Sequence, residues 1–309
     1  YFNDAWRRKY IMADQFIKTV TKNKFFRAYA LDGTQLVRAA ALTHDTSRLG
    51  AIVLGRGMLA TTLTAQSVLK GEERLAIQIN GRGPIGNIVV EADAKGSVRG
   101  YVTNPQVASI VDDKGQLDVA QAVGSNGFLQ ITKFAPYSDP YIGQSQLVSG
   151  EIGDDFTYYL AQSEQIPSVV GVSVYMNADN TVEAAGGFLI QALPDATDEA
   201  LDTLEKALKQ MKPLADMIVD SYTPLNILEE IFGKGEVDIL QVAGVGLAAE
   251  PSKAAYRDML TTLPAEEVQA MIDEDGGAEV VGKFSGKRYF FTAEELSRIV
   301  AEIKKNNQD

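Results

Sequence analysis

The sequence predicts an α+β fold: a mainly antiparallel sheet core with packed helices, then a helical linker and a small C-terminal α+β module. Three observations carry that reading. β-prone runs recur with short turns of Gly, Asn and Asp between them, a long apolar stretch over 49–69 has helical character, and the texture changes after Pro194. Taken in order, residues 13–43 predict strand, turn, strand. Residues 25–31 pair with 35–42 across Asp32-Gly33, because Asp-Gly between β-prone runs is a strong hairpin signal. Asp45, Thr46 or Ser47 then caps a long helix that ends before Gly71. Its small and aliphatic composition, with Gly55 and Gly57 included, suits burial on more than one face.

Residues 75–80 and 87–92 read as a hairpin pair, Lys95-Gly96 turns into a strand over 98–102, and 128–134 adds another. Residues 137–148 read as irregular, 153–164 as a helix, and 169–175 with 182–191 as a hairpin around Asn177-Ala178-Asp179-Asn180. After Pro194, 197–220 predicts one amphipathic helix with Leu201, Leu204, Leu208, Met211 and Leu214 in a stripe. Thr223-Pro224 opens a short helix to Phe232, carrying Leu228 and Ile231, and Gly233 and Gly235 break it. Residues 237–247 form a strand, 252–260 and 264–273 are helices, and 279–291 is a strand pair turned at Ser285-Gly286-Lys287. Thr292 with Glu295 forms a capping box for the last helix. The domains that follow are a core over 12–195, a helical linker over 196–243 and a C-terminal module over 244–309. Met12 reads as the natural start, so 1–11 is set aside as a non-native leader.

Composition removes several chemistries. The chain of 309 residues holds no cysteine and one histidine, His44, so disulfides, thiolate nucleophiles and thiolate metal sites are out. Residues 195–309 carry 23 acidic and 12 basic side chains, against 18 and 17 in 1–194. A net charge of −12 disfavours a phosphate backbone as partner, since binding one needs a cationic face. The stretch over 49–69 contains Arg56, three threonines and Gln66, so it reads as a buried helix and no membrane partner is expected. No export signal precedes it, which predicts a cytoplasmic location.

The motif-like runs all have plain structural readings. Gly81-Arg82-Gly83-Pro84-Ile85-Gly86 matches a dinucleotide pattern, but a strand follows it where the phosphate site needs a helix N-terminus. His44-Asp45 sits where a helix cap belongs. Asp273-Glu274-Asp275-Gly276 lacks the spacing of a calcium loop. No constellation for catalysis emerges, so binding rather than enzyme action is expected.

Several phrases do point to a family. The run from Gly81 to Val102, then Val148-Ser149-Gly150-Glu151-Ile152 with Asp154-Asp155-Phe156-Thr157-Tyr158-Tyr159, resembles the heat-shock protein 33 family of bacterial holdase chaperones. Gln165-Ile166-Pro167-Ser168 and Ala185-Gly186-Gly187-Phe188 belong to the same pattern, which extends over nearly everything from Met12 onward. The resemblance implies an α+β core, a helical linker and a small zinc module bearing C-x-C and C-x-x-C. On that frame the four cysteine positions are Ala249, Pro251, Gly282 and Ser285, so no zinc cofactor is expected and the family's thiol switch is lost or replaced. Their varied identities read as a natural zinc-free lineage. The module then rests on apolar packing, with Phe284, Tyr289, Phe290, Phe291, Leu260 and Ile272 as candidates.

The resemblance further implies an ATP-independent holdase whose partners are unfolded or misfolded client proteins, and it leaves a homodimer open. Client-binding candidates are Leu201, Leu204, Leu208, Met211, Leu214, Leu228, Ile231 and Phe232. A second reading keeps the fold as a scaffold with a permanently docked linker and a defined partner.

Overall fold

The computed structural model describes residues 14–249 and 251–306; the reading of residues 1–11 lies outside them. The chain divides between Ala248 and Ala249 into two compact units.

The first unit is an α+β body on two sheets. Sheet one takes strands β1 (Gln15–Thr21), β2 (Phe26–Asp32), β8 (Ser168–Met176), β9 (Val182–Ala192) and β10 (Val237–Gly244), in the order β10-β1-β2-β9-β8 with every pair antiparallel. Sheet two takes β3 (Arg74–Asn80), β4 (Ile88–Asp93), β5 (Ser97–Val102), β6 (Phe128–Phe134), β7 (Tyr141–Gln146) and β11 (Gly246–Leu247), ordered β11-β5-β4-β3-β6-β7. Only the β11–β5 contact in it is parallel.

Helix α1 (Thr34–Thr43) and helix α2 (Arg48–Val68) fill the space inside. Ser47 caps α2 by accepting the Gly50 amide at 3.1 Å. Sixteen of the 21 residues of α2 are buried. It packs on β8 and β9 of one sheet and on β4 and β5 of the other, so the main core is continuous across it. Thr61, Thr62 and Thr64 donate their hydroxyls to carbonyls one turn back at 2.7, 2.7 and 2.9 Å, which satisfies three buried polar groups without outside partners. At Gly55 a β-carbon would lie 2.5 Å from Val37 Cγ1 and 2.8 Å from Val174 Cγ2, so only glycine lets α1 and β8 approach this closely. The short helix α3 (Val119–Val123) and helix α4 (Gly153–Gln162) complete the body.

Several expectations change, among them the single strand over 237–247, which is split between β10 and β11 in different sheets. Residues 35–42 are not a strand but helix α1. Asp32 accepts the Thr34 amide at 3.1 Å and the Thr34 hydroxyl at 2.8 Å, and Gly33 keeps a negative φ, so Asp-Gly starts a helix instead of closing a hairpin. Leu36, Val37 and Ala40 are buried at helical spacing. The hairpin partner of β2 is β1, with Lys24 at φ 59 in the turn. Residues 137–148 contain strand β7, a polar sheet edge whose Gln and Ser residues carry little strand signal. The single helix over 197–220 is two: α5 (Asp198–Gln210) and α6 (Leu214–Val219). Met211 turns extended and Pro213, which has no amide hydrogen to donate, stands at the N-cap of α6.

After α6 comes α7 (Pro224–Phe232), where Thr223 accepts the Asn226 amide at 3.2 Å and Pro224 occupies the first turn. The second unit holds α8 (Lys253–Leu260), α9 (Ala265–Asp275), the hairpin β12 (Gly277–Val281) with β13 (Arg288–Thr292), and α10 (Ala293–Asn306). Thr292 and Glu295 exchange capping bonds of 2.9 and 3.2 Å at the start of α10. Its core gathers Leu260, Val268, Phe291, Leu296, Ile299 and Ile303. Phe290, expected in that core, is 63% exposed, because side chains alternate along β13 and Phe291 takes the inward position.

Candidate functional site

Sheet one has two faces, and alternation along its strands assigns them. Phe16, Tyr29, Leu31 and Leu189 face the α2 core, while Ile17, Phe26, Ala28, Ala30, Phe188 and Ile190 face outward. Left bare, that outward face would be a continuous apolar patch in water. Helices α5, α6 and α7 cover it. Leu204, Met217, Ile227, Leu228 and Ile231 are the buried side chains they contribute.

The eight client-binding candidates fall at different depths in this layer. Leu228 and Ile231 on α7 and Leu204 on α5 are buried against the sheet. Leu208, Met211, Leu214 and Phe232 pack on the same cluster but stay half-buried, and the Phe232 ring lies 5.7 Å from Phe26. Leu201 lies outside the cluster and is 37% exposed. Met217, Ile227 and the sheet floor were not among the candidates. Ile227 with Leu228 and Ile231 shows the i, i+1, i+4 pattern of a buried helix face, a signal that could have found it.

Helix α5 is seated on one buried residue. Thr197 caps it by accepting the Ala200 amide at 3.2 Å, and Asp198 and Glu199 suit the positive end of its dipole. Yet Leu204 alone of its 13 residues is buried. A cleft of ≈ 290 Å³ opens on one side between Phe25, Phe26, Thr203, Leu204 and Phe232. A second of ≈ 160 Å³ opens on the other between Val169, Ile190, Leu201 and Leu208. The helix ends in an extended Met211, and Lys212 pairs with Asp220 across the break; that hydrogen bond raises the Lys212 ammonium above its ordinary range.

The four positions matched to the family's cysteines lie in the second unit. Ala249 is exposed, Pro251 and Ser285 are half-buried, and Gly282 is buried. A methyl, a pyrrolidine, a bare α-carbon and a hydroxyl are no donor set for zinc, which binds thiolate, imidazole or carboxylate. No group of three or more His, Cys, Asp and Glu among the described residues could hold a metal ion. The turn at Gly282 closes on itself instead. Gly282 donates its amide to the Lys287 carbonyl at 2.9 Å, Gly286 to the Gly282 carbonyl at 2.7 Å, and Lys287 to the Ser285 hydroxyl at 3.1 Å. Across the unit the Tyr289 hydroxyl donates to the Pro251 carbonyl at 2.8 Å, with the Tyr256 ring 5.0 Å from that of Tyr289. Lys253 bridges both Glu295 oxygens at 2.7 and 2.9 Å and holds that carboxyl below the usual range.

These features define a class: an α+β protein whose apolar sheet face is covered by short amphipathic helices of its own chain, followed by a small separate helix-and-hairpin unit. The family model described as Hsp33 protein matches residues 14–292, and the chain belongs to that family. It is 48% identical over 293 residues to the 33 kDa chaperonin of Lactiplantibacillus plantarum, a match covering 95% of this chain and 99% of the relative. The 33 kDa chaperonin of Bacillus velezensis is 44% identical over 286 residues, covering 93% and 98%. The crystal structure of the 33 kDa chaperonin, a heat shock protein 33 homolog, of Thermotoga maritima superposes with a TM-score of 0.84 at 31% identity, covering 96% of this chain and 99% of that one.

Proposed function

We propose that the protein is an ATP-independent holdase: it binds unfolding proteins through apolar surface and keeps them from aggregating. The observation that carries this is the layered face of sheet one. Phe26, Phe188 and Ile190 form an apolar floor, and the helix over them, α5, is fixed by Leu204 with clefts on both sides. Movement of α5 hinges at 211–213 and offers Phe25, Phe26, Leu201, Leu204 and Leu208 together to a client segment. In this reading residues 196–243 act as the linker, the action is binding and not catalysis, and the work is done in the cytoplasm.

With the thiols absent, disulfide chemistry has no place in control of this chain. Heat is the trigger that fits, because the second unit rests on packing around Phe291 and on single bonds such as Tyr289 to Pro251, each net worth about 1 kcal/mol. Oxidants would act on methionine instead. The full burial of Leu228 and Ile231 favours a second reading for α7, that it stays docked while α5 moves.

Suppression of aggregation of a thermally unfolding client tests the reading. The protein, reduced, oxidised with peroxide, or pre-heated, is mixed with client at equal molar amounts and light scattering is followed. Suppression that grows with pre-heating and ignores the oxidant is expected. Unchanged scattering in all three conditions would exclude a holdase.

A further inference from the structure

Five buried polar side-chain atoms lack a close hydrogen-bond partner among the described residues, and three lie on one patch: Arg27 Nε, the Tyr29 hydroxyl and Gln191 Nε2. The Arg27 guanidinium acts on the Tyr29 oxygen as charge and as donor, so the free group there is the phenol proton. The strand register brings them together. Arg27 stands opposite Gln191 in the β2–β9 pair, Tyr29 follows two residues along β2 on the same face, and Lys18 stands opposite Tyr29 in the β1–β2 pair. This is the face of sheet one turned away from α5–α7, so it is separate from the proposed client surface.

The patch is cationic in an acidic chain. Lys18 Nζ lies 5.7 Å from the centre of the Tyr29 ring. Its ammonium is held below the ordinary range by burial first, then by the positive charges of Arg27 and Lys70. Lys18, Arg27 and Lys70 form no ion pair among the described residues. Glu73, in the same turn as Lys70, is engaged by Lys133 at 3.1 Å and by the Lys70 amide at 2.8 Å, and the Lys70 charge also acts on it. Gln191 is 5% exposed and Tyr29 fully buried, whereas Lys18 and Arg27 are half-buried and Lys70 is exposed. The neutral donors thus lie deep and the charges nearer to solvent.

Buried donors left without acceptors are costly, and like charges drawn together repel, so an oxyanion joining this arrangement is favoured on both counts. An acceptor with several oxygens and more than one charge suits donors of this kind on one sheet face, Arg27 Nε–H, the Tyr29 O–H and the Gln191 amide, with Lys18 and Lys70 to neutralise it. We propose that this patch binds a small phosphate-class oxyanion. Because Tyr29 and Gln191 are buried, a phosphate group reaches them only free or at the end of a slim monoester.

Phosphorus-31 NMR and calorimetry on the full chain test this, with inorganic phosphate in one arm, glycerol phosphate in another, and sodium chloride at matched ionic strength as control. Saturable binding of phosphate is expected, together with a rise in the Lys18 titration midpoint that chloride does not reproduce. Binding of glycerol phosphate as well assigns the site to monoesters, and its absence assigns the site to the free ion. Arg27→Gln and Lys18→Gln each weaken binding by about tenfold or more. Lys18 is half-buried, so its variant reports even where Arg27→Gln disturbs the fold. Equal responses to phosphate and chloride, or undiminished binding in both variants, overturn the proposal.

Discussion

Helices α2 and α5 lie on opposite faces of the same sheet, and both are rich in leucine and alanine. The first has sixteen buried residues of 21 and touches both sheets; the second has one of 13. Burial of a leucine contributes roughly 1.5–3 kcal/mol, so α2 is held by many such terms and α5 by Leu204 with half-buried help from Leu208. Both carry leucine and alanine, but α5 is charged on its outer side and attached by one residue where α2 is apolar nearly throughout. A protein that must keep its body folded while offering apolar surface needs both kinds of helix, and here they share one sheet.

The contrast breaks first at α2. Leu63, fully buried, becomes a cavity in Leu63→Ala, with an expected loss of about 2–5 kcal/mol in urea unfolding. Leu201→Ala on α5 should stay within about 0.5 kcal/mol. Similar losses for the two variants would erase the distinction.

A second effect belongs to the rigid side. The Asp14 carboxylate accepts the Gln35 amide at 2.9 Å and the Leu36 amide at 2.5 Å, tying β1 to the start of α1. Burial pushes its pKa up to about 6 from 3.8 despite those two amides. A carboxyl that is protonated more readily folded than unfolded stabilises fully below 3.8, and that contribution is lost as pH rises through about 6. Asp14→Asn, always neutral, should therefore gain on the wild type by up to about 3 kcal/mol between about pH 4 and about pH 7. Parallel pH profiles for the two proteins would remove Asp14 from the account.

Leu204→Ala sharpens the contrast from the other side. It should lower the opening free energy of α5 by about 2 kcal/mol, speed amide exchange over 198–210 and leave 48–68 unchanged. Exchange accelerated equally in both helices would mean that α5 opens only with the whole unit. The smallest effect is in the second unit: Tyr289→Phe removes one hydrogen bond to Pro251 and should cost about 1 kcal/mol of that unit's own unfolding, leaving the first transition in place.

Local chemistry made part of this readable from the chain. Asp45, Thr46 or Ser47 with Gly71 bracketed α2, of which Ser47 is the cap, Thr223-Pro224 marked α7, and Thr292 with Glu295 marked α10, because capping is settled within four residues. Asp32-Gly33 misled because the same pair serves a hairpin or a helix start, and the carboxylate of Asp14, distant in sequence, helps decide between them. The break at Pro213 is masked in the sequence because Met211 and Leu214 continue a leucine stripe across it. The candidate site was legible as a list of apolar residues. Its depth order was not, since Leu228 is buried and Leu201 exposed according to which part of sheet one lies beneath them. Likewise the family resemblance offers four positions for the metal ligands, but the bond from Tyr289 to Pro251 joins residues 38 apart and has no local signal.

Hydrogen exchange followed by mass spectrometry tests the central claim most directly, comparing 198–210 with 48–68 while the temperature rises toward global unfolding and a thermally unfolded client is present or absent. Helix α5 is expected to exchange by local opening well before α2 does, with bound client protecting Phe25, Phe26 and the flanking β2 amides while α5 stays open. Exchange of both helices in one step, or client protection confined to the outer face of sheet two, would contradict it.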